Sequence, residues 1–192
     1  MGNIRIPSPD GTKNVTATYE QKTDFLLLTI AAGAKQFKAK VEGGVGAELA
    51  WSPDSKAFFM TWSDSGLDGE YHTLVFYVSE RDLRRVNLDL AAKRAFGHPI
   101  PLPCDTNVVG VAWLDGSRRI LIAVQVPPLS ICDSYNTFRA FEVSLPEAVV
   151  IHSYGQIPAK KKFWTYLGKD LRDAPDDCIT DPNSCKPANY HP

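Results

Sequence analysis

Residues 64–70, Asp-Ser-Gly-Leu-Asp-Gly-Glu, hold the densest set of donor groups in the chain. Asp64, Asp68 and Glu70, with Gly66 and Gly69 between them, could surround a hard cation such as calcium, which takes oxygen ligands from carboxylates and backbone carbonyls. Their spacing is not that of an EF-hand, and a solvated acidic hairpin loop is the stronger reading. Asp173, Asp176, Asp177 and Asp181 form a second acidic group, with no glycine to wrap it tightly. His72, His98, His152 and His191 are scattered, with no HExxH and no paired ligands at zinc spacing. Ser63, Asp64, Ser65 and Gly66 lack the glycine that precedes a nucleophile elbow by two residues. Gly43, Gly44 and Gly46 stand before a strand rather than a helix, so no row of helical amides awaits a phosphate. No catalytic constellation emerges. The expectation is a non-enzymatic protein without a cofactor, calcium being the one candidate.

Binding chemistry is better represented. Trp51, Trp62, Tyr71, Phe76, Tyr77, Trp113 and Phe138 lie inside alternating runs, where sheet core is the default role of an aromatic. Trp62 differs because it ends its run beside the acidic loop, and Tyr71 and His72 resume the chain on the loop's other side. Trp62, Tyr71 and His72 are therefore the candidate ligand-contact set. For His72 and His152 the competing reading is a hydrogen-bonded structural histidine at a strand terminus. Lys160, Lys161, Lys162, Phe163 and Trp164 form a basic aromatic tract that could meet phosphates or a membrane surface. With 21 basic and 22 acidic residues the chain has no global field, and such a tract is more often a solvated helix face. No nucleic acid and no membrane insertion are expected. The longest apolar run, 25–34, is about half of what a membrane span requires. Cys178 and Cys185 flank an Asp-Pro-Asn turn at 181–183, which would allow a disulfide in an oxidising compartment; two free thiols are the alternative in a reducing one.

The elements that must position these groups are strands. Residues 14–20 alternate Val15, Ala17 and Tyr19 with Thr16 and Thr18, residues 24–32 form a denser apolar run, and residues 36–41 alternate again. A second set follows at 47–51, 56–62 and 71–78, and a third at 119–126, 136–144 and 149–154. Residues 83–102 fit a short outer strand and then a helical turn near 90–96. A turn precedes the runs at 14–20, 56–62 and 119–126. Ser8, Pro9, Asp10 and Gly11 repeat as Ser52, Pro53, Asp54 and Ser55, each suited to a type I turn, and return more loosely at Leu114, Asp115, Gly116 and Ser117. Trp51 and Trp113 precede the second and third. The first two turns start 44 residues apart, close to the length of one propeller blade of roughly 40–45 residues.

Residues 50–59, Ala-Trp-Ser-Pro-Asp-Ser-Lys-Ala-Phe-Phe, resemble the WD40-like PD40 β-propeller repeat of the TolB type, also found in the propellers of prolyl oligopeptidase relatives. The resemblance covers three units over residues 4–154; the second matches well, and the third departs at Leu114. It implies an all-β fold of antiparallel four-stranded blades in an incomplete β-propeller, followed over 155–192 by a short amphipathic helix and an irregular, cysteine-containing tail. Propellers close with roughly four to eight blades, so a three-blade arc must be capped, completed or part of something longer. Phe163, Tyr166, Leu167 and Leu171 fall on one helical stripe that could supply the cap. The function implied is protein binding, to a partner or to another copy. The alternatives are the accessory propeller portion of a peptidase-like hydrolase, or a glycan- or calcium-binding β protein. The resemblance leans towards the cell envelope or exterior, whereas no secretory signal is visible.

Overall fold

The computed structural model describes residues 4–43, 45–64, 69–96, 106–127 and 137–175. Among the described residues, twelve strands form three four-stranded antiparallel meanders. The first blade holds β1 (Ile4–Pro7), β2 (Lys13–Glu20), β3 (Phe25–Ala32) and β4 (Lys35–Glu42). The second holds β5 (Val45–Trp51), β6 (Ala57–Ser63), β7 (Tyr71–Val78) and β8 (Leu83–Asn87), and α1 (Asp89–Phe96) follows it. The third holds β9 (Asn107–Asp115), β10 (Arg119–Gln125), β11 (Phe138–Ser144) and β12 (Val149–Tyr154). Two short helices, α2 (Gln156–Phe163) and α3 (Lys169–Asp173), come next. The expected outer strand and helical turn after the second unit are β8 and α1.

Burial follows from stacking the blades face to face. Every residue of β6 is buried, as expected where a sheet is covered on both sides. Phe58, Met60 and Trp62 turn to the first blade, meeting Val15, Leu28 and Ile30. Ala57 and Phe59 turn to the third, meeting Val108, Ile120 and Ile122. The contact is close enough that a Cβ built on Gly110 would lie 2.6 Å from the Phe59 ring, so a glycine lets β9 approach. Polar groups join the blades in register. Trp51 Nε1 donates to the Ile6 carbonyl at 3.2 Å, and Trp113 Nε1 to the Ala50 carbonyl at 3.1 Å. Each tryptophan thus uses its N–H on the first strand of the preceding blade.

The Ser-Pro-Asp turns stack as well. In the second turn, Ser52 Oγ accepts the Ala57 N–H at 3.0 Å and lies 2.7 Å from Asp54 Oδ1; the first turn repeats this with Ser8, Lys13 and Asp10. The Asp10 N–H donates to Ser55 Oγ at 3.1 Å, and Ser117 donates to Asp54 Oδ2 from both its N–H and its hydroxyl, at 3.2 and 2.9 Å. Burial works to raise the Asp54 pKa, but the donors from Ser52, Ser117 and Lys56 outweigh it and hold the carboxyl below the usual range. The motif is a ladder from blade to blade.

The outer faces of the arc are treated differently. On the third blade, α2 and α3 lay Ala159, Phe163, Leu167 and Leu171 over Leu121, Ala123, Phe138 and Ala140. The stripe expected along a single helix is broken between residues 164 and 168, which moves Tyr166 to the surface (53% exposed) while Phe163, Leu167 and Leu171 stay buried. Glu142, nearly buried, pins this cap: it takes Tyr154 Oη at 2.8 Å, Lys162 Nζ at 3.0 Å and Arg119 Nη1 at 3.3 Å. Burial pushes its pKa up, yet the Tyr154 and Lys162 hydrogen bonds hold it below the ordinary value. On the first blade the outward rows run from Thr16 through Thr29 to Lys38, and from Thr18 through Leu27 to Lys40. Lys40 also lies 5.4 Å above the Phe25 ring. That face is mixed, with threonines and lysines standing beside Phe25, Leu27 and Ala31 of β3.

Candidate functional site

Strand direction sorts the connections to two ends of the stack. At the end that holds the Ser-Pro-Asp turns no connection exceeds five residues, while the first blade's short connections at 21–24 and 43–44 lie at the opposite end. The connections from β6 to β7, from β8 to β9 and from β10 to β11, which are the longest, leave from the other. Trp62 closes β6 there, Tyr71 and His72 open β7, Asp89 opens α1, and Asn107 opens β9.

His72 is the centre of this end. Its Nδ1 lies 2.8 Å from Asp89 Oδ2, its Nε2 lies 3.6 Å from Asp64 Oδ2, and its ring sits 5.3 Å from the Trp62 indole at a 35° tilt. The bond to Asp89 is the largest cause of a raised imidazole pKa; partial burial opposes it, and Asp89, Glu70 and Asp64 add further negative charge. Asp89 is held in turn, its Oδ1 accepting the Thr73 N–H at 3.0 Å and its own N–H donating to Asn87 Oδ1 at 2.8 Å. Beneath lies a satisfied polar chain: Thr61 and Thr73 hydroxyls meet at 2.9 Å, Thr73 donates to the Val108 carbonyl, and Thr61 accepts the Gly110 N–H. Blade-to-blade packing therefore fixes the histidine and its acid.

Trp62, Tyr71 and His72 are brought to this end together. Trp62 is only 8% exposed and spends its N–H on the Glu42 carbonyl at 2.8 Å, so it supports the site from below. Tyr71 and His72 are half-buried at its rim, with the Tyr71 N–H on Asn107 Oδ1 at 3.0 Å. Of the acidic loop, Asp64 Oδ1 accepts the Glu70 N–H at 2.8 Å and the Glu70 carboxylate pairs with Lys93 of α1. Asp68 lies outside the described residues, as do Cys178 and Cys185. Among the described residues no group of three His, Cys, Asp or Glu is disposed to hold a metal ion.

Asp89 and Lys93 were not singled out in the sequence. They fall in the segment between the second and third units, 17 and 23 residues from the groups they pair with. An Asn87 and Asp89 pair opening a helix after an outer strand is the only local sign. Chemically, an imidazole flanked by two carboxylates favours its protonated form.

No family model matches the chain, and no curated protein sequence matches it. Among solved structures it is similar to an acylaminoacyl peptidase of Pyrococcus horikoshii, at 11% identity and a TM-score of 0.39. The similarity covers 74% of this chain and 22% of the peptidase, so the match spans about a fifth of that protein's length.

Proposed function

We propose that the chain is a non-enzymatic polypeptide-binding module built from three PD40-type blades, with the long-connection end of the second blade as its contact surface. One observation carries this reading: the stack gathers its longest connections at the end opposite the Ser-Pro-Asp turns, around a charge-paired His72. Binding residues concentrate on connections held by a rigid scaffold. His72, Asp89 and Asp64 offer a fixed pattern of opposite charges, which gives orientation and partner choice. Tyr71 adds an aromatic side chain of the type that dominates interface energetics. Because α2 and α3 cover the outer face of the third blade, the contact is assigned to the loop end rather than to that sheet face.

Selection of a displayed library of random 12-residue peptides on the immobilised chain tests the reading. Enriched peptides should bind the Asp64→Ala, Tyr71→Ala double variant at least about tenfold more weakly, the equivalent of ~1.4 kcal/mol. A library that yields no enriched peptide, or only peptides binding the double variant equally well, would overturn it.

A further inference from the structure

The imidazole of His72 stands between two chain elements. Its Nδ1 lies 2.8 Å from Asp89 Oδ2 at the start of α1, and its Nε2 lies 3.6 Å from Asp64 Oδ2, where β6 passes into its connection to β7. The two contacts differ in kind. The first has the length of a hydrogen bond and persists in a neutral ring whose one proton sits on Nδ1. The second is longer than a hydrogen bond and is held by charge, so it needs a proton on Nε2 as well. A neutral ring turns the Nε2 lone pair toward the Asp64 carboxylate instead. The Asp64 side chain is 46% exposed against 16% for Asp89, so the contact that depends on the second proton is also the one open to solvent.

We propose that His72 is a proton-operated latch on the connection from β6 to β7: the protonated ring holds Asp89 and Asp64 together, and the neutral ring keeps Asp89 and releases Asp64. The frame around the ring is fixed. Asp89 is held from behind by the Thr73 N–H and by its own N–H on Asn87, and Trp62, 5.3 Å from the ring, by the Glu42 carbonyl. The Asp64 backbone is packed so tightly against the end of the first blade that a Cβ on Gly43 would stand 2.6 Å from it, which leaves the Asp64 side chain as the part that moves. The other charged groups here are Glu70, paired with Lys93 of α1, and the exposed Glu42 of the first blade. Strand β5 brings Ala47 into line with Trp62, and β9 brings the neutral Asn107 to Tyr71. Asp68 of the same connection lies outside the described residues. Histidine is the side chain that ordinarily titrates between pH 5 and 8, and the Asp89 bond is the largest cause moving the His72 transition to the alkaline side of its usual value. The Glu70 and Lys93 pair does not involve the ring, so the far end of the connection stays tied to α1 in both states. The latch gives the contact surface its regulation and rests on the polypeptide-binding reading for that use alone: Asp64 is presented to a partner in one of two placements according to pH.

Amide hydrogen exchange of the peptide-free full chain, followed by NMR from about pH 5.5 to 8.5 alongside the His72 titration, tests it. No peptide is present, so the latch can fail while peptide binding stands, and can hold where no peptide binds. The Glu70 N–H donates to Asp64 Oδ1 at 2.8 Å and the Thr73 N–H to Asp89 Oδ1 at 3.0 Å, so the two amides report the two sides of the ring. After correction for the intrinsic pH dependence of exchange, Glu70 should exchange about two- to fivefold faster once His72 is neutral, the size expected of an exposed ion pair, while Thr73 keeps its protection. In His72→Gln, which is neutral at every pH, Glu70 should hold the parent's high-pH value throughout. In Asp64→Asn, whose amide can donate to a neutral Nε2, the step at Glu70 should vanish while His72 still titrates; Asp64 is an exposed position, so this variant serves even where His72→Gln does not fold. Glu70 protection that ignores the His72 transition, or a step that persists in either variant, would overturn the latch. So would Thr73 losing protection together with Glu70, because the ring would then be leaving both acids.

Discussion

Removing the side chain of Phe163 should show what the cap contributes. Its ring is 4% exposed, enclosed by Leu121, Phe138, Ala140, Leu167 and Leu171, and it meets the Tyr154 ring edge-on at 5.2 Å and 83°. Truncating a buried phenylalanine to alanine costs about 3–5 kcal/mol in transfer and cavity terms, and losing an edge-to-face partner adds ~0.5–1.5 kcal/mol. A surface helix can settle partly into the space, which argues for the lower end, so Phe163→Ala should cost about 3 kcal/mol. For a chain of this size that lowers the thermal midpoint by roughly 6–12 °C. Ile157→Ala on the exposed face of the same helix is the control, and should stay within about 0.5 kcal/mol. Both variants would be unfolded in urea and followed by tryptophan fluorescence, with dye binding to report exposed Leu121 and Phe138 in Phe163→Ala. If Phe163→Ala costs no more than Ile157→Ala, α2 is not a structural cap and the explanation of how three blades stand without a fourth is wrong.

The remaining expectations concern the turn ladder and the histidine. Ser52→Ala should destabilise by about 1–3 kcal/mol, because Ser52 is fully buried and its hydroxyl is the partner of the Ala57 N–H; a denaturation midpoint within error of the parent would argue against the ladder. His72 should titrate above 6.5 in an NMR pH series, since Asp89 and then Asp64 and Glu70 raise its pKa. A group whose pKa is raised on folding stabilises most below its unfolded pKa and loses that contribution as pH rises through the folded value. The stability gap between the parent and Asp89→Asn should therefore be widest below about pH 6.5 and narrow on the alkaline side; a His72 pKa at or below 6.5, or a gap that widens with pH, would refute the pairing.

Period-2 alternation and the Ser-Pro-Asp turns were enough to place the strands, because both are local: β3 reads as a strand from Phe25 to Ala32 and buries every second residue. The ladder between turns was not legible, since Asp54 reaches Ser117 from 63 positions away and only stacking brings them together. The cap was half legible. Phe163, Leu167 and Leu171 keep helical spacing across the break, but Tyr166 left the stripe because the chain turns between residues 164 and 168 rather than continuing as one helix. At the site, Trp62, Tyr71 and His72 were found by proximity to the acidic loop. Trp62 proved largely covered, since the neighbouring blade's Glu42 carbonyl takes its N–H. Asp89, which sets the charge of His72, was hidden because an outer strand and a turn separate the two in sequence.

The central claim is that the stack presents no bare sheet core: α2 and α3 cover the outer side of the third blade, and Thr16, Thr18, Lys38 and Lys40 stand among Phe25 and Leu27 on the first. Sedimentation velocity of the full chain over a wide concentration range tests it most directly. The account predicts one compact species of 21.2 kDa whose sedimentation coefficient does not change with concentration. A dimer or larger assembly that grows with concentration would contradict it, because it would show that a sheet face still seeks a partner.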